Sequence, residues 1–178
     1  MEPVVLRRLR EDDEAVFVRA IASWPRDEAT TFAPNFDPAA GVGEYVRLLD
    51  AQARGERLPD GWVPSITMFG FAGDEVVGRL QFRRVLNERL LLIGGNIGYA
   101  VLPQFRGRGY AKSMLRQGLT LACAEGLRRV LITCDEDNRA SARIIESVGG
   151  KLENVVSTGE ATPRKARYWV SLECEEGG

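Results

Sequence analysis

The chain has 178 residues, 44% hydrophobic and 28% charged, a globular balance rather than a disordered or fibrous one. Its 24 basic and 25 acidic residues leave a net charge of -1, so composition offers no global attraction for nucleic acid. There is no histidine, which excludes Ser-His-Asp and Cys-His pairs, a histidine base and any His-ligated metal; the chemistry falls to carboxylates, Cys, Tyr, Ser/Thr, Lys/Arg, backbone groups or a bound cosubstrate.

In chain order, residues 4–9 read as a short strand, and Asp12 or Asp13 as a cap for a helix with an apolar stripe of Ala15, Phe17, Val18, Ile21 and Ala22. Residues 24–37, rich in Pro, Asp, Asn and aromatics, form a loop, and residues 38–55 a second helix with Tyr45, Leu48 and Leu49 on one face. Two strands, 65–71 and 76–85, flank the hairpin signal Gly73-Asp74, and residues 96–102 form a fourth strand. A helix opens near Tyr110 with Ala111, Met114, Leu115, Gly118, Leu119 and Ala122 at helical spacing. A buried strand at 129–134, a helix at 139–148 closed by Gly149-Gly150, and a final antiparallel pair at 152–157 and 167–172 complete the pattern.

Cys123, Cys134 and Cys174 form no C-x-x-C pair, and so odd and sparse a set speaks against both zinc and a disulfide framework. No signal-peptide core and no membrane-length apolar run is evident, so the expectation is one domain over residues 1–178, soluble and cytoplasmic, with no nucleic-acid, membrane or metal partner.

The strongest chemical signal is Arg106-Gly107-Arg108-Gly109-Tyr110-Ala111, between a strand and a helix. A helix N-terminus offers unpaired N–H groups and positive dipole character, glycines let backbone wrap an anion, and Arg106, Arg108 and Lys112 add charge. The dinucleotide fingerprint fails because Lys112 stands where it needs Gly, and the Walker loop fails at Arg106 and Ala111. The bland alternative is a glycine-rich turn with solvated arginines.

The stretch from Val101 to Ala111 resembles the acetyl-CoA loop of the GNAT N-acetyltransferase superfamily, whose pattern is filled here by Arg106, Gly109 and Ala111. Asp137-Asn138-Arg139-Ala140-Ser141, after the buried strand, resembles the family's pantetheine motif. The likeness is strong over residues 94–150, weaker over the rest, and nearest to a little-characterised branch of predicted acetyltransferases. It implies a mixed α/β (α+β) fold: a GNAT-like three-layer sandwich whose mostly antiparallel central sheet splays between the fourth and fifth strands, flanked by about four helices. It implies acetyl-CoA as cosubstrate, no metal, and direct attack of a primary amine on the thioester in a ternary complex. A small-molecule amine is the first expectation and a protein lysine the second; a non-catalytic acyl-CoA sensor is the alternative. An exposed edge of the last hairpin offers a homodimer contact.

By the same resemblance, Val101 and Leu102 would meet the pantetheine arm and thioester, Arg106, Gly107, Arg108, Gly109, Tyr110 and Ala111 the pyrophosphate, and Asn138 with Ser141 the pantetheine. An Asx turn or N-cap is the compatible structural reading of Asn138. Many family members carry a Tyr acid seven residues after that Asn; here the position is Ile145. The catalytic candidates are therefore Glu88, Tyr99 and Cys134, against readings of Glu88 as a solvated loop residue and Cys134 as a small core residue. Asn96 and Tyr99 are placed to order a relay water. For the acceptor, Trp24, Phe32, Phe36, Tyr45 and Trp62 with Asp27, Glu28, Asp37, Glu44 and Asp60 suit an ammonium by charge and cation–π contact, unless the rings are core and the acids surface.

Overall fold

The computed structural model describes residues 2–28, 30–159 and 162–174. Seven strands and five α-helices follow in the order β1 (Val5–Arg7), α1 (Glu14–Ala22), α2 (Gly41–Ala53), β2 (Ile66–Ala72), β3 (Glu75–Phe82), α3 (Glu88–Leu92), β4 (Ile97–Val101), α4 (Tyr110–Ala124), β5 (Arg129–Asp135), α5 (Arg139–Glu146), β6 (Lys151–Val156) and β7 (Lys165–Ser171). Short 3-10 turns at Glu11–Asp13 and Pro103–Phe105 precede α1 and α4.

Apolar alternation on the strands separates two cores. On one face of β3, Leu80 and Phe82 pack with Ile97, Met114, Leu115 and Ile145 under α4 and α5. On the other face, Phe69 of β2 packs with Phe17, Phe32, Val42 and Tyr45 under α1 and α2. Burying each such side chain contributes about 1.5–3 kcal/mol, so the two clusters clamp the sheet between helical layers. This is the expected three-layer sandwich.

All pairings between named strands are antiparallel, in the orders β1-β2-β3-β4 and β5-β7-β6. Among the described residues the two sheets are bridged at one end only. Gly95 bridges Ile132, the Asn96 amide donates to the Leu131 carbonyl, and the buried Asn96 side chain donates to Arg83 O while accepting from Leu131 N. Gly95 has φ +63°, and a Cβ there would run into the Leu131 carbonyl oxygen, so only glycine permits this seam. Beyond it β4 and β5 part, which is the expected splay. Asn96, read in the sequence as a water-ordering residue, is instead the pin that closes one end of the gap, its side-chain amide spent on both neighbouring strands.

Two expectations change. Residues 88–92, to which no element was assigned from the sequence, form α3, capped by the Asn87 side chain accepting from Leu90 N, which adds a fifth helix. Cys123 and Cys174, expected unpaired, form a disulfide. Pairing of Arg129 with Ser171, extended by Leu172 N donating to Arg128 O, carries Cys174 back to the end of α4, with Cα atoms 5.5 Å apart. The cysteine count therefore carries no argument about compartment. The bridge closes a loop 51 residues apart in sequence, for which chain entropy gives up to about 4 kcal/mol. A reductant is expected to lower the melting temperature, and Cys123→Ser to match the reduced protein; calorimetric melting with and without reductant checks both.

Candidate active site

The open end of the gap is built from β4 and the turn that follows. Arg83 N donates to Asn96 O and Leu102 N to Val77 O, which fixes the antiparallel alternation. The N–H and C=O groups of Ile97, Tyr99 and Val101 therefore point away from β3, toward β5. No strand pairs with that edge at these residues among the described ones. A free strand edge beside a gap is a template for an extended ligand.

The chain then reaches α4 through Gly107 (φ +74°) and Gly109 (φ +80°), the latter at the N-cap in the left-handed region. No side chain caps α4, and the first amide to find an intrahelical partner is Ser113 N, bonded to Gly109 O. Among the described residues no hydrogen bond engages the amides from Gly107 to Lys112. A run of free amides at the positive end of a fifteen-residue helix, with Arg108 and Lys112 beside it, fits a pyrophosphate.

Arg106 is placed differently from Arg108. Its Nε donates to Val101 O at 3.0 Å, its Nη2 pairs with Glu28 at 2.7 Å, and its guanidinium lies over the Trp24 ring. It occupies the Val101 carbonyl and leaves the Val101 N–H free. Leu102, buried, spends its own N–H on Val77. Tyr110 is buried against Phe105, and Ala111 opens the helix.

Three expected residues come together on the α5 side of the gap. Tyr99 Oη lies 2.8 Å from Ser141 Oγ, and the Cys134 thiol is next to the same hydroxyl. Burial pushes the Tyr99 hydroxyl up to about 12, and burial likewise raises the Cys134 thiol. Both therefore hold their protons at neutral pH. Asn138 caps α5, its Oδ1 accepting from Ser141 N at 3.0 Å; this leaves its amide nitrogen without a partner among the described residues. Ile145 is fully buried in the core. Glu88 is not brought to this group: it sits exposed in the first turn of α3 and does not line the neighbouring groove.

That groove, about 450 Å³, lies on the α1/α2 face, with β3 as its floor and Thr31, Trp62 and Gly94 on its walls. Gly94 N donates to Thr133 Oγ1 of β5, so the groove adjoins the gap between the sheets. The residues named for the acceptor divide between two places. Of the aromatics named for it, Trp62 lines this groove, Trp24, Phe32 and Phe36 line with Glu28 a separate pocket of about 370 Å³, and Tyr45 is core. Glu44 is paired to Arg47 and Arg57, Glu28 to Arg106, and no carboxylate among the described residues lines the groove. Its charged groups are Arg79, Arg83 and Arg89, none of them singled out from the sequence. The available signal was Arg79-x-Gln81-x-Arg83, three polar residues on one face of an inner strand, where apolar side chains are the rule.

Residues 4–151 match the acetyltransferase (GNAT) domain family. The fold is similar to that of Mycobacterium smegmatis RimJ in complex with CoA-disulfide: TM-score 0.67, 23% identity, covering 94% of this chain and 81% of that one. It is similar to a Salmonella typhimurium acetyl transferase that modifies the N-terminal serine of the 50S ribosomal protein L7/L12, at TM-score 0.67, 18% identity and 96% coverage of both chains. The microcin C7 self-immunity acetyltransferase MccE, in complex with acetyl-CoA and AMP, gives TM-score 0.68 at 16% identity, over 97% of this chain and 94% of that one. No curated protein matches. The chain belongs to the GNAT family of N-acetyltransferases. Its reaction class is acetyl transfer with acetyl-CoA as donor. No helix among the described residues is long and apolar enough to cross a membrane, and no group of His, Cys, Asp and Glu among them has metal-binding geometry.

Proposed function

We propose that the protein transfers the acetyl group to a primary amine of a small molecule, by direct attack with both reactants bound. The observation that carries this reading is the continuity of the free β4 edge with the unpaired amides from Gly107 to Lys112. Together they offer hydrogen bonds along one extended track that ends beside the groove. Of the relatives named above, one modifies the N-terminal serine of a ribosomal protein and another is a microcin self-immunity acetyltransferase.

Acetyl-CoA, when bound, supplies the activated thioester. The residues of this chain do the rest. The amides from Gly107 to Lys112, with Arg108 and Lys112, hold pyrophosphate, while the free edge of β4 and the free amide of Asn138 hold the pantetheine arm. Fixing both reactants in line removes much of the entropic barrier to a bimolecular step. The Val101 N–H, left free because Arg106 takes only the carbonyl, donates to the developing oxyanion. Tyr99, in place of the family's usual Tyr, donates a hydrogen bond to the departing sulfur, with Ser141 orienting its hydroxyl. The amine sheds its proton to water. In a groove whose charges are arginines, an ammonium is disfavoured against the neutral amine, so a carboxylate base is dispensable. Cys134, protonated and in contact with Ser141, belongs to the wall of the site rather than to its proton path.

Calorimetric titration should show binding of acetyl-CoA and free CoA with no binding of ATP or NAD. An amine panel read by thiol release and product mass should then find turnover. The buried Ile145 at the usual Tyr position favours one rival, an acyl-CoA sensor. Tight CoA binding with no thiol release toward any amine would select it. Folded protein that binds neither form of CoA would remove both.

A further inference from the structure

The floor of the groove contains a charge that no carboxylate among the described residues neutralises. Arg79 stands opposite Ala100 on β4, one residue before Val101. Its Nε is buried with no hydrogen-bond partner, and the other buried side-chain polar atom in that state among the described residues is Tyr45 Oη, on a residue close enough to feel the Arg79 charge. Arg83, four residues along on the same strand face, donates to Gln81 and to the Gly95 carbonyl, both neutral. Neither arginine takes part in an ion pair among the described residues, although ten such pairs form elsewhere. Burial, with the neighbouring Arg79 charge, draws the Arg83 guanidinium down to about 10, so it still carries its proton at neutral pH.

Arg79 and Arg83 are half-buried at the groove floor, with Arg79 Nε out of reach of water; positive charge held there without a counter-charge is costly, and two such groups repel each other. Arginine cannot escape the cost by deprotonating. Stability alone does not select such a pair on an inner strand facing a groove; a ligand that brings the missing negative charge does. We propose that the amine acceptor carries an oxyanionic group, a carboxylate or a phosphate, held by Arg79 and Arg83 while its amine reaches the open end of β4. Arg89 extends the positive lining. A groove of about 450 Å³ matches an amine of small-molecule size. Diamines and other purely cationic acceptors are disfavoured. The identity of the tethered amine rests on the acetyl-transfer reading above; the anion site rests on the groove alone.

The test separates the two. Inorganic phosphate and succinate are added, each in turn, to protein saturated with CoA, which occupies the helix amides, and melting is followed. Wild type is expected to melt higher with at least one of them, which tells phosphate from carboxylate, and Arg79→Met and Arg83→Met should lose the shift. In turnover, β-alanine and 2-aminoethyl phosphate are compared with propylamine and ethanolamine. The anionic partner of the better pair should lead by on the order of 30-fold in kcat/KM, carried by KM and lost in Arg79→Met. Arg79→Lys should keep part of both effects. Without ligand, Arg79→Met should melt at or above wild type, since an unpaired charge is replaced by an apolar chain of similar length. An Arg79→Met protein that fails to fold would mark a structural guanidinium and overturn the proposal. So would a wild type unshifted by either anion, or shifts that persist in both Met variants. Failure to bind CoA strikes the acetyl-transfer reading instead, and the comparison of wild type with the Met variants still decides the anion site.

Discussion

Arg108→Glu combined with Lys112→Glu is expected to weaken CoA binding by on the order of 100-fold or more, with the fold as stable as before. Arg108 is exposed and Lys112 half-exposed, neither takes part in a hydrogen bond or ion pair among the described residues, and Arg108 only covers the Phe105 ring. Both flank the free amides at the start of α4, where the helix dipole and the unpaired N–H groups already favour an anion. Reversing two charges there sets carboxylates against phosphate in the amide cradle itself. Arg106→Glu is a poorer probe. It would cut the bond to Val101 O and put an acid against Glu28, changing the end of β4 along with any phosphate contact. Calorimetry with CoA at two salt concentrations reads the result, since the double variant should also lose most of the salt dependence. Unchanged affinity would remove the phosphate assignment of the loop.

That loop was readable because its signal is local. Glycine at a left-handed position, a strand before it and an amphipathic helix after it are all properties of a dozen consecutive residues, and the chain folds them as the pattern implies. The same holds for the hairpin at Gly73-Asp74 and for the apolar face of α4. What was not readable depends on distant chain segments meeting. Cys123 and Cys174 are paired by the register of β5 on β7, which no cysteine spacing encodes. Tyr99 and Ser141 are 42 residues apart and meet across the gap. The acids named for the acceptor were visible as composition, yet two of them are neutralised by arginines from other segments, Glu44 by Arg57 and Glu28 by Arg106. Arg79 and Arg83 lay in plain view, but only the pairing with β4 shows that their face of the strand looks into a groove.

Tyr99→Phe is expected to lower kcat by about 10–100-fold without changing CoA affinity. The size follows from the chemistry. A hydrogen bond to a charged group contributes about 1.5–3 kcal/mol, and each 1.4 kcal/mol is about tenfold in rate. Full proton transfer from Tyr99 to the sulfur runs uphill. The hydroxyl is pushed up to about 12, whereas an ordinary thiol titrates near 8.5. Its contribution is therefore stabilisation of the leaving thiolate, with solvent delivering the proton below the thiol's own pKa. The defect should accordingly be widest at neutral pH and narrow above about pH 8.5, where the free thiolate is stable unaided. Phenylalanine keeps the ring that packs beside Leu80 in the core and removes only the bond to Ser141 Oγ, so stability should fall by no more than about 1 kcal/mol. Cys134→Ala tests the competing assignment: its thiol, raised by burial, should leave the pH profile of kcat where it was. If Tyr99→Phe turns over like wild type at every pH while Cys134→Ala loses activity, the proton partner of the leaving group sits on β5 rather than β4.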